Sequence, residues 1–518
     1  MSTLMKKTAL YILTALLFAG VFVSCSPDAL ETNPTTQVSG SSMFDNTTAA
    51  LVPLNGIYSL MHCHGWSTSG DYTMNFALRA DLLAADAMGD DMIIALKGGN
   101  WFFRDHTYTM KERWTATSGR SGSAWKEFYT YIANANYIID AKTTMQGTPS
   151  EINYIIGQAY AIRGFSYFML AQWFSRTYKG HESDPCVPIY TEPSSAGTSG
   201  NPRSSVEAVY KVIVADLDTA ITRLQASHEK THISHIDYCT ANGFRARVAM
   251  EMNDFQKAKE CAAIARSKTK IGEADDILKG MNKVDTKNII WGHIITADQT
   301  DYQRNLFAHM QKEGQHGTRQ PKYITPILYN KMGANDIRRK WFEAVADSKV
   351  AGGYHYQQVK FLYADIATYM GDYIFMRNEE MLLIEAEAEC RLGHDDAAKS
   401  LLAELMAKRD PDYKCDKTGT ALGKLTNDWT GSLLEEITIQ RRIELWAETG
   451  RIFDIKRLKQ GFVRTADQGF STNALTTVTG DTSRPDCYMW VMPIPQMEFD
   501  GNAALDITKD QNPLSNKD

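Results

Sequence analysis

FRARVAMEMNDFQKAKECAAIARS, residues 244–267, and RNEEMLLIEAEAECRLGHDDAAKSLLAELMAKR, residues 377–409, follow one design. Each reads as a helix, a short break and a second helix, the breaks falling at Met252-Asn253-Asp254 and Leu392-Gly393-His394. Small residues bracket both turns at equal separation, Ala246 with Ala258 and Ala386 with Ala398. Ala262 with Ala265, and Leu402 with Leu405, continue the inward face of each second helix. Small side chains let paired helices approach closely, and such pairs bury their apolar faces by stacking on neighbours. The pattern predicts stacked helical hairpins.

This spacing resembles the tetratricopeptide repeat, and the fold class expected is mainly α. Ile152, Ile155, Ile156, Ala159 and Ile162 form one helical stripe, and Met381, Ile384, Ala388 and Leu392 another. Further helices are predicted over Thr47–His62, Ser123–Asp140, Glu151–Phe174, Ser205–Leu224 and Leu433–Leu458. A single body over 47–518 is expected, its repeats lying mainly in 123–267 and 375–460. Residues 63–122, 268–374 and 461–500 lack helical periodicity, apart from a strand-like Ile289-Ile290-Trp291, and are expected to face ligand. Long loops in a compact protein carry function more often than not.

The N-terminus carries an address. Lys6 and Lys7 precede an uncharged apolar run, Thr8 to Val23, that closes on Ser24-Cys25. The run is shorter than the roughly 20 residues of a bilayer span and sits where export signals belong. Residues 1–24 are therefore expected to be a signal peptide, Cys25 a lipidation site and 25–46 a polar tether. The seven remaining cysteines are odd in number and widely spaced, which disfavours zinc ribbons and disulfide scaffolds. The formal charge of the full chain is −6, so no basic field holds a polyphosphate and nucleic acid is not an expected partner.

Several blocks together resemble the SusD/RagB-like outer-membrane nutrient-binding lipoproteins of Bacteroidetes. They include the lipobox-like end at Cys25, Ala49-Ala50-Leu51 through Gly56-Ile57-Tyr58, Trp125 with Ala133-Asn134-Ala135-Asn136, and Arg163-Gly164-Phe165-Ser166-Tyr167-Phe168. Arg377-Asn378-Glu379-Glu380-Met381, Glu385-Ala386-Glu387-Ala388, Gln440-Arg441-Arg442-Ile443-Glu444-Leu445 and Arg451 to Arg457 continue the series. Pro493-Ile494-Pro495, Glu498 and Gln511-Asn512-Pro513 end it. The resemblance implies four repeat-like helix pairs carrying ligand-facing insertions, and a SusC-like TonB-dependent transporter as partner. It also implies capture of oligosaccharide or polysaccharide at the outer membrane, with no chemistry performed and no cofactor. The alternating charges of these blocks read as ion pairs that lock neighbouring helices.

A neutral glycan presents C–H faces and hydroxyls, so its site needs aromatic platforms beside groups that both donate and accept hydrogen bonds. Asn100-Trp101 fits, following the Gly98-Gly99 turn and flanked in sequence by Trp66 and Tyr72; the alternative is that Trp101-Phe102-Phe103 starts a buried strand. Tyr302, Arg304, Tyr354 and Tyr356 are candidates for a second wall, while Trp291 reads as core. His62-Cys63-His64 and His232-x-x-His235 lack a supporting cluster, and Asp86, Asp90 and Asp91 lack the closing Glu of a calcium loop, so no metal is expected. No Walker loop, G-x-S-x-G, H-E-x-x-H or dinucleotide fingerprint occurs, and no catalytic residue is named. Two other functions remain open from sequence: a repeat scaffold that binds protein or peptide only, and a secreted glycan hydrolase.

Overall fold

The computed structural model describes residues 42–66, 72–95, 100–115, 119–195, 197–346, 354–475 and 481–514. The signal segment, Cys25 and the tether up to residue 41 lie outside them. So do the side chains of Tyr72 and Tyr354.

Helices dominate the order of elements. α1 (Thr47–Leu60), α2 (Leu78–Met88) and β1 (Met92–Ile94) lead into α3 (Arg120–Asp140), α4 (Pro149–Phe174), α5 (Val206–Gln225), α6 (Tyr238–Glu251) and α7 (Phe255–Arg266). β2 (Ile289–His293), α8 (Leu306–Met310), β3 (Lys322–Ile324), β4 (Phe342–Ala346), β5 (Tyr354–Gln358) and β6 (Tyr373–Arg377) form an irregular middle. α9 (Asn378–Arg391), α10 (Asp395–Met406), α11 (Leu433–Glu444), α12 (Arg451–Arg457) and α13 (Gln496–Gly501) complete the body, with shorter turns between them.

Both quoted hairpins form as read. α6 and α7 pack together, as do α9 and α10, and α9 also packs on α7, so α9 joins the main core to a second cluster that it forms with α10 and α11. The breaks have local causes: Asn253 and Gly393 adopt positive φ, and Asp254 caps α7 by accepting from the Lys257 N–H at 3.1 Å. Ala246, Ala258, Ala386 and Ala398 are all fully buried. The longer pair, α4 with α5, uses glycine instead: a Cβ at Gly157 would stand 2.9 Å from Leu224 Cγ, and one at Gly164 3.1 Å from Leu217 Cγ. α4 starts at Pro149, ahead of its apolar stripe, because Thr148 and Glu151 form a capping box with proline in the first turn.

Ala398→Trp therefore has a definite expected outcome. Ala398 is fully buried in one cluster with Leu382, Leu383 and Leu402, so the ring overpacks it, at a cost of about 1–3 kcal/mol or more. Thermal melting checks it, with Ala403→Trp on the exposed side of the same helix as the control that changes little.

Two expectations are corrected. Residues 63–122 are less irregular than their pattern implies, because they contain α2 and β1. α2 shows no amphipathic stripe because every one of its residues is buried, and a helix buried all round needs no polar face. The helix expected over Leu433–Leu458 is two, α11 and α12. The chain turns through positive φ at Ala447 and Gly450, and the Asp86 carboxylate of α2 accepts the Gly450 and Arg451 N–H groups at 3.1 and 2.9 Å. A partner remote in sequence thus caps α12.

The strands form two small antiparallel sheets. One has the order β1-β3-β5-β4, with Met92 opposite Ile324 and Tyr323 opposite Gln357. The other pairs β2 with β6, Ile289 opposite Arg377, with register shifts at Trp291. β6 runs directly into α9, which fixes the middle of the chain to the second hairpin.

The signature charges pair in the interior. Glu444 lies among Arg377 at 2.7 Å, Arg409 at 3.0 Å and Arg338 at 3.2 Å. Arg442 joins α11 to Asp90 and Asp91 beyond α2, Arg451 joins α12 to the same pair, and Arg441 meets Asp454 at 2.8 Å. Of the aspartates weighed as calcium ligands, Asp90 and Asp91 are thus partners of arginines, and Asp86 caps α12.

A candidate aromatic cleft

α8 organises the candidate site. Asn305 caps it by accepting the Ala308 N–H at 2.8 Å, so Tyr302 and Arg304 sit at its start while His309 projects from its body. His309 Nε2 lies 2.7 Å from the Thr73 carbonyl oxygen, which draws the Tyr72–Met74 turn against the helix. His316 stacks on His309 with ring centroids 4.4 Å apart, and Trp101 lies over His316 at 4.1 Å. Phe76 and Phe102 close the far side of His309 at 5.5 and 5.1 Å.

The result is a ring stack whose outer member is Trp101. Trp101 is half-buried and neighbouring Asn100 is exposed. Trp101 begins no strand; Phe102 turns through φ +58 into a short helix, and its N–H donates to Met74 Sδ. The two histidines stay neutral. Burial, then the nearby Lys322 ammonium, pushes His316 down to about 4, while burial and the neighbouring His316 hold His309 well below its usual range. Lys322 is itself pushed down to about 7 by burial and donates to the His309 and Gln320 carbonyls.

The candidate second wall presents two exposed tyrosines. Tyr302 is 49% and Tyr369 41% exposed, their rings 6.1 Å apart, and Tyr369 rests edge-on against Tyr363. Large exposed aromatic pairs are unusual on a surface with no partner. Gln303 Nε2 donates to the Tyr302 hydroxyl at 2.8 Å. Arg304 clamps Asp301 through Nε and Nη2, at 2.8 and 2.5 Å. Burial would raise the Asp301 carboxyl, but Arg304 and the Arg304 and Gln303 N–H groups outweigh it and hold it below the usual range. His64 lies 3.8 Å from Asp301 and lines, with Asp298, Asn305 and Tyr369, a cavity of ≈ 210 Å³.

The remaining candidates fall elsewhere. Trp66 is corrected from platform to core: it is buried and meets Tyr131 edge-on at 5.8 Å, because the segment after α1 folds down against α3. Tyr356 is half-buried on β5, its ring committed to Tyr329 at 3.5 Å. Trp291 is core as preferred, its indole N–H donating to the Ser234 carbonyl at 2.7 Å. Tyr72 and Tyr354 have only their backbones described, Tyr72 beside His309 and Tyr354 opposite Ala346 on β4. His309, His316 and Tyr369 escaped sequence reasoning because nothing in their neighbourhood distinguishes a stacked ring from a solitary one. Among the described residues, no group of three or more His, Cys, Asp or Glu is placed to hold a metal ion.

Fold and candidate cleft together define a class: a helical-repeat scaffold that exposes aromatic rings on its inserted loops. Residues 81–250 match a family model described as SusD-like, "Starch-binding associating with outer membrane", and residues 346–514 match that of the SusD family. SusD-like protein P2 of Formosa agariphila is 25% identical over 554 aligned positions, covering 97% of this chain and 99% of the relative. A SusD-like carbohydrate binding protein from Bacteroides vulgatus superposes with a TM-score of 0.75 at 25% identity, over 91% of this chain and 99% of that one. Surface glycan-binding protein A from Bacteroides uniformis shares the fold, with a TM-score of 0.63 at 19% identity over 90% and 100% of the two chains. The chain belongs to the SusD-like family.

Proposed function

We propose that this protein is a surface glycan-binding lipoprotein that captures oligosaccharide in the Trp101–Tyr302 cleft and delivers it to a SusC-like TonB-dependent transporter in the outer membrane. The observation that carries the reading is the exposed Tyr302–Tyr369 ring pair, Tyr302 lying just ahead of the short helix whose His309 meets Trp101. Stacked carbon faces flanked by Asn100, His64, Gln303 and Arg304 match the alternating C–H and hydroxyl character of a sugar chain. The family description and the Bacteroides vulgatus carbohydrate binding protein support the same ligand class.

The acids placed beside the cleft support binding without cleavage. A glycosidase needs one carboxyl held protonated as general acid. Asp301 is held below the usual carboxylate range, and so is Asp298, through the Thr296 hydroxyl that donates to it at 2.6 Å. Retardation in native gels containing a panel of polysaccharides tests capture. No retardation by any polysaccharide, with binding to peptide instead, overturns it in favour of a protein-binding scaffold, and new reducing ends after long incubation overturn it in favour of a hydrolase.

The anchor is tested separately. Cys25→Ala removes the thiol that acyl chains modify, so the variant is expected to be recovered in the soluble fraction with an unchanged melting temperature. Radiolabelled fatty acid in the variant would contradict this.

A further inference from the structure

A groove remote from α8 lies between α3, the segments 188–195 and 197–202, and α13. Its volume is ≈ 550 Å³, within the roughly 300–1,000 Å³ of small-molecule sites and larger than the ≈ 210 Å³ cavity beside Asp301. Tyr129 and Tyr190 form its corner, ring centroids 5.9 Å apart at an interplanar angle of 74°, and both are half-buried. Their hydroxyls are engaged by the protein. Tyr129 donates to the Pro188 carbonyl at 2.7 Å, and Tyr190 accepts the Asn201 N–H at 3.0 Å. What the two rings offer the groove is therefore carbon. Trp125 packs on Tyr129 at 4.9 Å and donates its indole N–H to Glu498.

The groove is built rather than incidental. Buried Asn136 donates to the Tyr190 and Glu192 carbonyls, each at 3.1 Å, and accepts from Arg163, which is fixed in turn by both oxygens of Asp216. A Cβ on Gly200 would stand 1.9 Å from Asn502 Oδ1, so only glycine lets the segment close on the chain just beyond α13. Trp125, Ala133, Asn136, Arg163 and Glu498, all from the sequence blocks the aromatic cleft does not use, converge here. At the rim the Lys126 ammonium and the Glu192 carboxylate have no partner among the described residues, and Thr198 and Ser199 add hydroxyls. Lys126 stands against two carboxylates, Glu192 and Glu498, the second engaged by the Trp125 indole N–H and the Asn502 amide, so no net positive field draws an anion. Carbon walls under a rim of donors and acceptors suit a neutral sugar ring.

We propose that this groove is a second saccharide site, taking a neutral pyranose against the Tyr129–Tyr190 corner and separate from the Trp101 cleft. The proposal rests on the groove itself and stands whether or not the first cleft binds glycan. With two sites, a long chain gains from the effective concentration that its first contact creates for the second.

Saturation-transfer NMR on the full chain with methyl pyranosides of glucose, galactose, mannose and xylose tests it. Ala133→Trp fills the groove from α3, and Thr130→Arg does so from a second position should the first variant misfold. At least one pyranoside is expected to receive transfer from the wild type and from Trp101→Ala, and to lose about tenfold or more of its affinity in the filled variants. No transfer to any of these pyranosides, or transfer that Trp101→Ala abolishes, overturns the proposal. So does transfer that survives both filled variants. Failure of the first cleft shows differently, as unchanged oligosaccharide affinity in Trp101→Ala.

Discussion

Trp101→Ala combined with Asn100→Ala is expected to weaken oligosaccharide binding by about 30-fold, the equivalent of the roughly 2 kcal/mol that truncating an aromatic anchor typically removes. The melting temperature is expected to fall only modestly. A tryptophan enclosed in a core costs about 3–5 kcal/mol when cut to alanine, but Trp101 is half-buried and rests on one buried neighbour, His316, with His309 behind it. Those histidines are neutral and keep their own stack when the indole goes. Trp101→Phe is expected to recover much of the binding. Calorimetric titration gives one axis and thermal melting the other. A large loss of stability with affinity retained in the folded fraction would place Trp101 in the core and shift the site to Tyr302 and Tyr369 alone.

Glu444→Leu is expected to be the most destabilising single change. Glu444 is fully buried and is shared by Arg377, Arg409 and Arg338, so removing it strands positive charge in the interior, at about 3–5 kcal/mol for a broken buried pair. The same group sets an acid limit. Burial works to raise the Glu444 carboxyl, but the three guanidiniums outweigh it and hold it well below its ordinary 4.5. Between the folded and unfolded values the unfolded chain binds more protons, so stability rises with pH through that window. The contribution is complete above pH 4.5 and is lost as pH falls towards the folded value. Glu448, held low by Arg377 and Lys360 against burial, acts in the same direction. Urea unfolding at several pH values checks this: the gap between wild type and Glu444→Gln should be widest above pH 4.5 and narrow as the pH falls below it.

The alternating charges at 377–387 and 440–457 made ion pairing legible, yet not its geometry. Arg377 finds Glu448 and Arg338 finds Glu444 across distances in sequence that no periodicity spans. The candidate site was legible in halves. Asn100-Trp101 and Tyr302 stood out as aromatic residues in turn-rich segments, whereas Trp66 has the same local character and is buried. Exposure of a ring depends on what packs over it, and Tyr131 on α3 covers Trp66. The stack of His309 and His316 beneath Trp101 forms only because the Tyr72–Met74 turn docks on α8 through Thr73.

By itself the sequence determined the hairpins, their breaks and their close crossings, because helical period, capping residues and small side chains act within a few residues of one another. It offered the ligand class as a resemblance and the export address as an expectation from a local motif. Only the tertiary structure decided that α2 is a helix, that Leu433–Leu458 divides around Asp86, and which aromatic rings reach solvent. Each of these turns on burial or on a contact between distant segments, where the stabilising partner is supplied by the fold and leaves no periodic trace beside the residue it serves.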